Sequence, residues 1–199
     1  MVEAATDLVG ELGSFLSDHN FVIGGGFTRD IRNHKPIKDI DIIMNMKMFS
    51  FGEGRAFDAW LKSRQMLLLS GDKAYNSQSK GNNFKVYGPS PEQKVSSKDV
   101  EVQIIACQVP PLLFIEQTFD YGLCQVATLP SGDVYASDQY MMDEENKTLT
   151  LMVRESITPY QLGYALKDHL PRLQKKFPTH KLVVSTDIAP TDVEMARRF

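Results

Sequence analysis

The chain has 199 residues, a mass of 22.4 kDa and a formal charge of −3 from 22 Lys+Arg against 25 Asp+Glu. A pI near 5.8 excludes a protein that coats nucleic acid by bulk charge. With 42% hydrophobic and 24% charged residues the composition is that of a folded chain, long enough for one domain with a small appendage.

The longest aliphatic run, Met66-Leu67-Leu68-Leu69, is too short to span a bilayer, so no membrane partner is expected. Glu3, Asp7 and Glu11 without an early Lys or Arg do not make a signal peptide. Cys107 and Cys124 are far apart and form no CxxC, which argues against a disulfide framework or a zinc site and for a reducing compartment. The expected location is cytoplasmic.

In chain order, Ala5, Leu8, Val9, Leu12, Phe15 and Leu16 fall at helical spacing and predict a helix from Thr6 to about Ser17. Phe21-Val22-Ile23 reads as a buried strand entering a Gly24-Gly25-Gly26 turn, followed by a short helix over Thr28–Asn33. Asp39–Met44 alternates like a strand, and Arg55–Leu69 reads as a helix. A polar stretch from Ser70 to Ser97 holds one strand near Phe84–Tyr87 between loops. Val100–Ile105 is a further strand, Pro110-Pro111 opens a helix through Gln117, and strands are expected at Tyr121–Ala127, Val134–Ala136 and Thr148–Val153. Turns are read at Pro130-Ser131-Gly132 and Glu144-Glu145-Asn146. Two helices begin near Pro159 and Pro171, a strand follows at Lys181–Val184, and the tail from Asp187 is read as frayed. The expected class is α+β: a small mixed sheet flanked by helices.

Chemistry concentrates between residues 23 and 43. On a strand, Asp39 and Asp41 project from one face, roughly 7 Å apart at Cα, and two carboxylates so placed repel unless a cation joins them. Hard oxygen ligands of this kind select Mg²⁺. The plain alternative is one aspartate capping a turn and the other solvated. Gly24-Gly25-Gly26, between a strand and a helix, lets backbone N–H groups approach a phosphate. A dinucleotide-binding GxGxxG turn is excluded, because Arg29 stands where Gly or Ala is needed.

Gly25-Gly26-Phe27-Thr28-Arg29-Asp30 followed by Lys38-Asp39-Ile40-Asp41 resembles the signature of nucleotidyltransferases of the DNA polymerase beta superfamily. The pattern is similar to that of the head domains of bacterial CCA-adding enzymes and poly(A) polymerases. The resemblance implies that Gly25 and Gly26 hold a nucleoside triphosphate, ATP or CTP, with Arg29, Lys38 and Asp120 near it. It also implies that Asp39, Asp41 and a third carboxylate, Glu101 in Val100-Glu101-Val102 with Asp99 as fallback, hold two Mg²⁺ ions and are catalytic. Phe119 and Cys124 depart from the family pattern, where an arginine and an asparagine stand.

The resemblance further implies a head-like domain over 1–153, with 154–199 as a helical appendage and the family's long RNA-positioning domains missing. The implied activity is transfer of a nucleoside monophosphate to an acceptor hydroxyl, with an RNA 3′ end favoured. A protein acceptor and a non-catalytic nucleotide-binding module are the alternatives. Arg172, Lys175 and Lys176 are the basic residues available for an RNA backbone, and a solvated helical face is the plain reading of the same residues. His34, His169 and His180 are given no role, and Phe114, Phe119 and Tyr121 are read as core.

Overall fold

Phe21–Gly24 (β1) is buried at all four positions, as a short apolar run between two neighbouring strands requires. The computed structural model describes residues 21–45, 51–63, 66–68, 85–89, 101–154 and 157–185. The expected helix over Thr6–Ser17, most of the 70–97 stretch, Asp99 and the tail from Asp187 lie outside the described residues. Within them, β1 leads through Gly25 into Gly26–Arg32 (α1), then Asp39–Asn45 (β2), Phe51–Ser63 (α2), Met66–Leu68 (β3), Lys85–Pro89 (β4) and Glu101–Cys107 (β5). Pro111–Thr118 (α3), Val126–Thr128 (β6), Val134–Ala136 (β7), Asp138–Asn146 (α4) and Thr148–Leu151 (β8) follow. Pro159–Tyr164 (α5), Leu170–Lys176 (α6) and Lys181–Val184 (β9) complete the order.

The main described sheet has seven strands in the order β3-β4-β5-β2-β1-β6-β7, and only β2 and β5 are parallel neighbours in it. β8 and β9 pair in parallel as a second, two-stranded sheet. The architecture is therefore mixed α+β, as the sequence implies.

The alternation of β2 fixes two cores. Ile40, Ile42 and Met44 pack with Phe57, Trp60 and Leu61 of α2 on one side. Ile43 packs with Ile105, Phe114 and Ile115 on the other, under α3. Ile42, Ile43 and Met44 are fully buried, each contributing about 1.5–3 kcal/mol relative to exposure. A third core joins Tyr121, Leu123, Tyr140, Leu149 and Leu151 to Leu162, Leu166, Leu173 and Phe177 of the C-terminal helices.

Four local expectations are corrected. The helix expected to run to Leu69 stops at Ser63, and Met66–Leu68 is a strand, because ladder pairing to β4 overrides local helical spacing. The strand expected at Tyr121–Ala127 is broken by a 3₁₀ turn at Gly122–Cys124. There Gly122 lies so tight against α4 that a Cβ would sit 2.4 Å from Gln139 Cγ and 2.7 Å from Asp143 Oδ2. The turn read at Glu144–Asn146 is the end of α4, whose N-cap Ser137 accepts from the Tyr140 amide and whose end is marked by Lys147 at φ 52°. The two C-terminal helices form one continuous run through a π turn at Ala165–His169. Pro171 lacks the N–H that a regular helix would direct to Lys167, and the wider turn precedes it directly.

Asp143 ties α4 to β8. Fully buried, it accepts from Gln139 Nε2 at 3.1 Å, Thr148 Oγ1 at 2.7 Å, Thr150 N at 3.0 Å and Thr150 Oγ1 at 2.6 Å. Asp143→Ala strips these donors of their acceptor and is expected to cost about 3 kcal/mol or more in urea unfolding. A loss below about 1 kcal/mol would contradict this assignment.

Candidate functional site

The parity that buries Ile43 also places Asp41 and Asp39 on the same strand face. Both are half-buried. The parallel register sets Glu101 beside Asp39 and Gln103 beside Asp41, while antiparallel pairing sets Gly24 beside Asp41. The start of β2 and the glycine turn therefore meet at one end of these two central strands.

At that turn Gly25 has φ 64°, a left-handed value that only glycine adopts cheaply. A Cβ there would lie 2.8 Å from Phe119 Cε2. Its amide donates to the Val126 carbonyl at 2.8 Å, so this N–H is engaged within the fold. Gly26 is the open position: a Cβ would stand 3.6 Å from Asp39 Oδ1 and 3.5 Å from Arg29 Nη2, ordinary contact distances.

Gly25, Gly26, Arg29, Lys38, Asp39, Asp41, Asp120, Arg172 and Lys176 all line one cavity of about 270 Å³. Lys175 does not line it. The sequence reading treats the basic residues as an acceptor surface apart from the nucleotide residues, whereas Arg172 and Lys176 share this cavity with them. Both are engaged by the protein. Lys176 pairs with Asp30 and donates to the Pro36 carbonyl at 3.2 Å. Arg172 donates to the Tyr164 hydroxyl at 2.8 Å and lies over its ring.

Arg29 is buried and donates through Nε to Asp30 Oδ1 at 2.9 Å and through Nη1 to Cys124 Sγ at 2.9 Å. It also lies 5.6 Å from the centre of the Phe177 ring. Burial opposes its charge, but Cys124 and Asp30 outweigh burial and raise its pKa. Lys38 pairs with Asp39, 3.2 Å from Oδ2, and is itself two-thirds exposed at 66%.

Asp120 does not stand alone at the cavity wall. His169 Nδ1 approaches its two oxygens at 2.9 and 2.8 Å, and the imidazole packs edge-on against Tyr121. Burial disfavours the His169 charge, but Asp120, by charge and hydrogen bond, together with Cys124 pushes its pKa up to about 10. Sequence reasoning gives His169 no role, because its partner lies in a different element and no local spacing signals the pair. Phe119, Arg154, Tyr160 and Tyr164 also line the cavity without a local signal. Among the described residues no three His, Cys, Asp or Glu side chains group as a metal site, and no helix is long and apolar enough to cross a membrane.

No protein-family profile and no curated protein matches this sequence. Among solved structures, a tRNA-processing enzyme in an apo form matches 98% of this chain and 47% of its own, with a TM-score of 0.56 and 15% identity. The fold is the nucleotidyltransferase fold. Also similar are a tRNA nucleotidyltransferase complexed with a primer tRNA and an incoming ATP analog, and the Bacillus stearothermophilus CCA-adding enzyme in complex with CTP. The former matches 96% of this chain and 50% of its own at TM-score 0.45 and 15% identity. The latter matches 96% of this chain and 42% of its own at TM-score 0.44 and 15% identity. The chain spans about half the length of these structures.

Two measurements check this geometry. Gly25→Ala meets both the left-handed backbone and the Phe119 ring, and is expected to lose about 2–3 kcal/mol of stability. Gly26→Val should unfold within about 1 kcal/mol of the parent yet weaken ATP binding in calorimetry, since its side chain takes up space beside Asp39. Equal stability loss in both variants would remove the distinction between the two glycines.

The His169–Asp120 pair gives a signed pH effect. The folded pKa of His169 lies above the unfolded value near 6.5, so its contribution is complete below that value and is lost as pH rises toward about 10. His169→Gln should therefore flatten the decline in melting temperature across that alkaline range. A variant that loses stability as steeply as the parent there would assign the decline to other groups.

Proposed function

We propose that this chain is a Mg²⁺-dependent nucleotidyltransferase that transfers a nucleoside monophosphate from ATP or CTP to an acceptor hydroxyl, with an RNA 3′ end as the acceptor. The observation that carries this reading is the single cavity in which the Gly25-Gly26 turn, Asp39, Asp41 and a cationic wall meet. The shared fold with a tRNA-processing enzyme supports the acceptor class.

The donor set fits Mg²⁺. Asp39 and Asp41 offer hard oxygens from alternate positions of one strand, and the register brings the Glu101 backbone beside Asp39. Bound there, two Mg²⁺ ions would lower the pKa of the acceptor hydroxyl and screen the departing pyrophosphate. Gly26 leaves room for the phosphates beside Asp39. Arg29, Arg154, His169, Arg172 and Lys176 supply positive potential across the cavity while their own hydrogen bonds hold them still, so little reorganisation is needed as charge moves. The acceptor oxygen bonds to the α-phosphorus, the bond to the bridging oxygen breaks, and pyrophosphate leaves. The chain contributes positioning and charge, without a covalent intermediate.

Pyrophosphate release from each of the four ribonucleotides, with and without cellular RNA, tests the reading. Mg²⁺-dependent release that requires RNA, with label appearing on RNA 3′ ends, is expected. Asp39→Asn combined with Asp41→Asn should reduce it at least about a hundredfold while the fold survives. Undiminished release by the double variant would overturn the mechanism, and label on protein in place of RNA would overturn the acceptor.

A further inference from the structure

A line of cations leads away from the cavity over the surface. It starts at the loop between α1 and β2, where Lys38 and Lys176 line the cavity. The Lys35 N–H donates to the Asp30 carbonyl at 2.8 Å, and the Pro36 carbonyl accepts from Lys176 at 3.2 Å, so the loop is fixed against α6. The Lys35 ammonium stands 5.8 Å from the centre of the Phe177 ring, and the His180 ring lies against that same ring at 5.1 Å between centres. Lys181 follows His180, and its N–H donates to the Lys147 carbonyl at 3.0 Å. Lys147 and Lys181 are both exposed, and Lys35 is half-buried.

These charges are not spent inside the fold. Among the described residues, none of Lys35, Lys147 and Lys181 forms an ion pair. The two carboxylates that act on His180 from α4 are engaged elsewhere. Asp143 is buried among its own donors, and Glu144 takes Arg32 and Asn33, each at 3.4 Å, together with the Tyr140 hydroxyl. By contrast, Arg172 and Lys176 of α6 are held by Tyr164, Asp30 and Pro36. In a chain of net charge −3, a run of unpaired lysines that starts at the cavity is a local reversal of sign, and a polyanion is the ligand it fits.

We infer that a single-stranded RNA 3′ segment leaves the cavity over this track, with its phosphodiester groups on Lys35, Lys147 and Lys181 and not on α6. The inference rests on the transferase reading for the acceptor class and adds the path that the acceptor takes. The track turns from a loop, past an aromatic ring, to the start of a sheet, a course that a flexible single strand can follow. Its contacts are to phosphate, so they position the strand without reading its sequence.

Fluorescence anisotropy of a labelled single-stranded RNA oligonucleotide of mixed sequence, measured on the full chain across a salt series, tests the track. Lys147→Gln with Lys181→Gln should lower affinity at least about tenfold at low salt. The slope of log affinity against log salt should fall by about 1.4, at roughly 0.7 per single-strand contact. Adding Lys35→Gln should lower both further. Lys62→Gln with Lys167→Gln removes the same charge from α2 and from the π turn, and should leave both unchanged. ATP affinity in calorimetry should equal that of the parent throughout, because none of these lysines lines the cavity. RNA binding that keeps its full slope without Lys147 and Lys181, or that falls equally in the control pair, would overturn the track and leave the transferase reading standing. A parent that binds no RNA, or binds polyglutamate in its place, would overturn the track and the RNA acceptor together.

Discussion

The cavity depends on a carboxylate that water does not reach. Asp30, 1% exposed, accepts from Arg29 on its own helix and from Lys176 at the far end of α6. A buried carboxylate is tolerable only with such partners, and removing one member of a buried pair typically costs about 3–5 kcal/mol. Through these contacts the helix that follows the glycine turn is tied to the C-terminal helices across the third core. Arg29 extends the tie to Cys124, so one chain of charge runs from α6 to the 3₁₀ turn. The walls that face each other across the cavity belong to segments far apart in sequence, and this buried network holds them in place.

The polar end of the site follows from a different constraint. β2 has one residue parity for two tasks: Ile43 seals the sheet against α3, and two positions earlier the same face carries carboxylates. β2 opens with the aspartates, ahead of Ile43, and the cavity lies there, with Phe114, Gln117 and Thr118 of α3 in its lining. Fixed hydrogen bonds hold the cations opposite, so the electrostatic contrast between the two walls is built in before any ligand arrives.

These constraints explain what was legible in the sequence. Asp39–Met44 could be read because alternation is a local property, and the glycine turn because Gly25 needs a backbone conformation that other residues avoid. The nucleotidyltransferase fold was visible through those two segments together. The pair of His169 and Asp120 was not, because nothing local connects a residue in the π turn to one beside the 3₁₀ turn. Arg172 and Lys176 read locally as a solvated basic face, yet the continuous C-terminal helix turns both to the cavity while Lys175 points elsewhere. α4 shows no hydrophobic stripe, because it buries Tyr140 and Asp143 and exposes Met141 and Met142, so its local signal is the Ser137 cap with Asp138 in the first turn.

Phe119 and Gly25 constrain each other at the turn. Phe119 stands where the look-alike pattern has an arginine, and its ring lies against the Cα of Gly25. With the Gly25 amide already donated to Val126, this glycine is fixed by packing and backbone angle rather than by a phosphate. Gly26 has neither restraint: its φ is unremarkable for a helix start and its missing side chain leaves open space beside Asp39. In this chain the first glycine of the pair builds the turn, and the second leaves the room that the turn exists to provide.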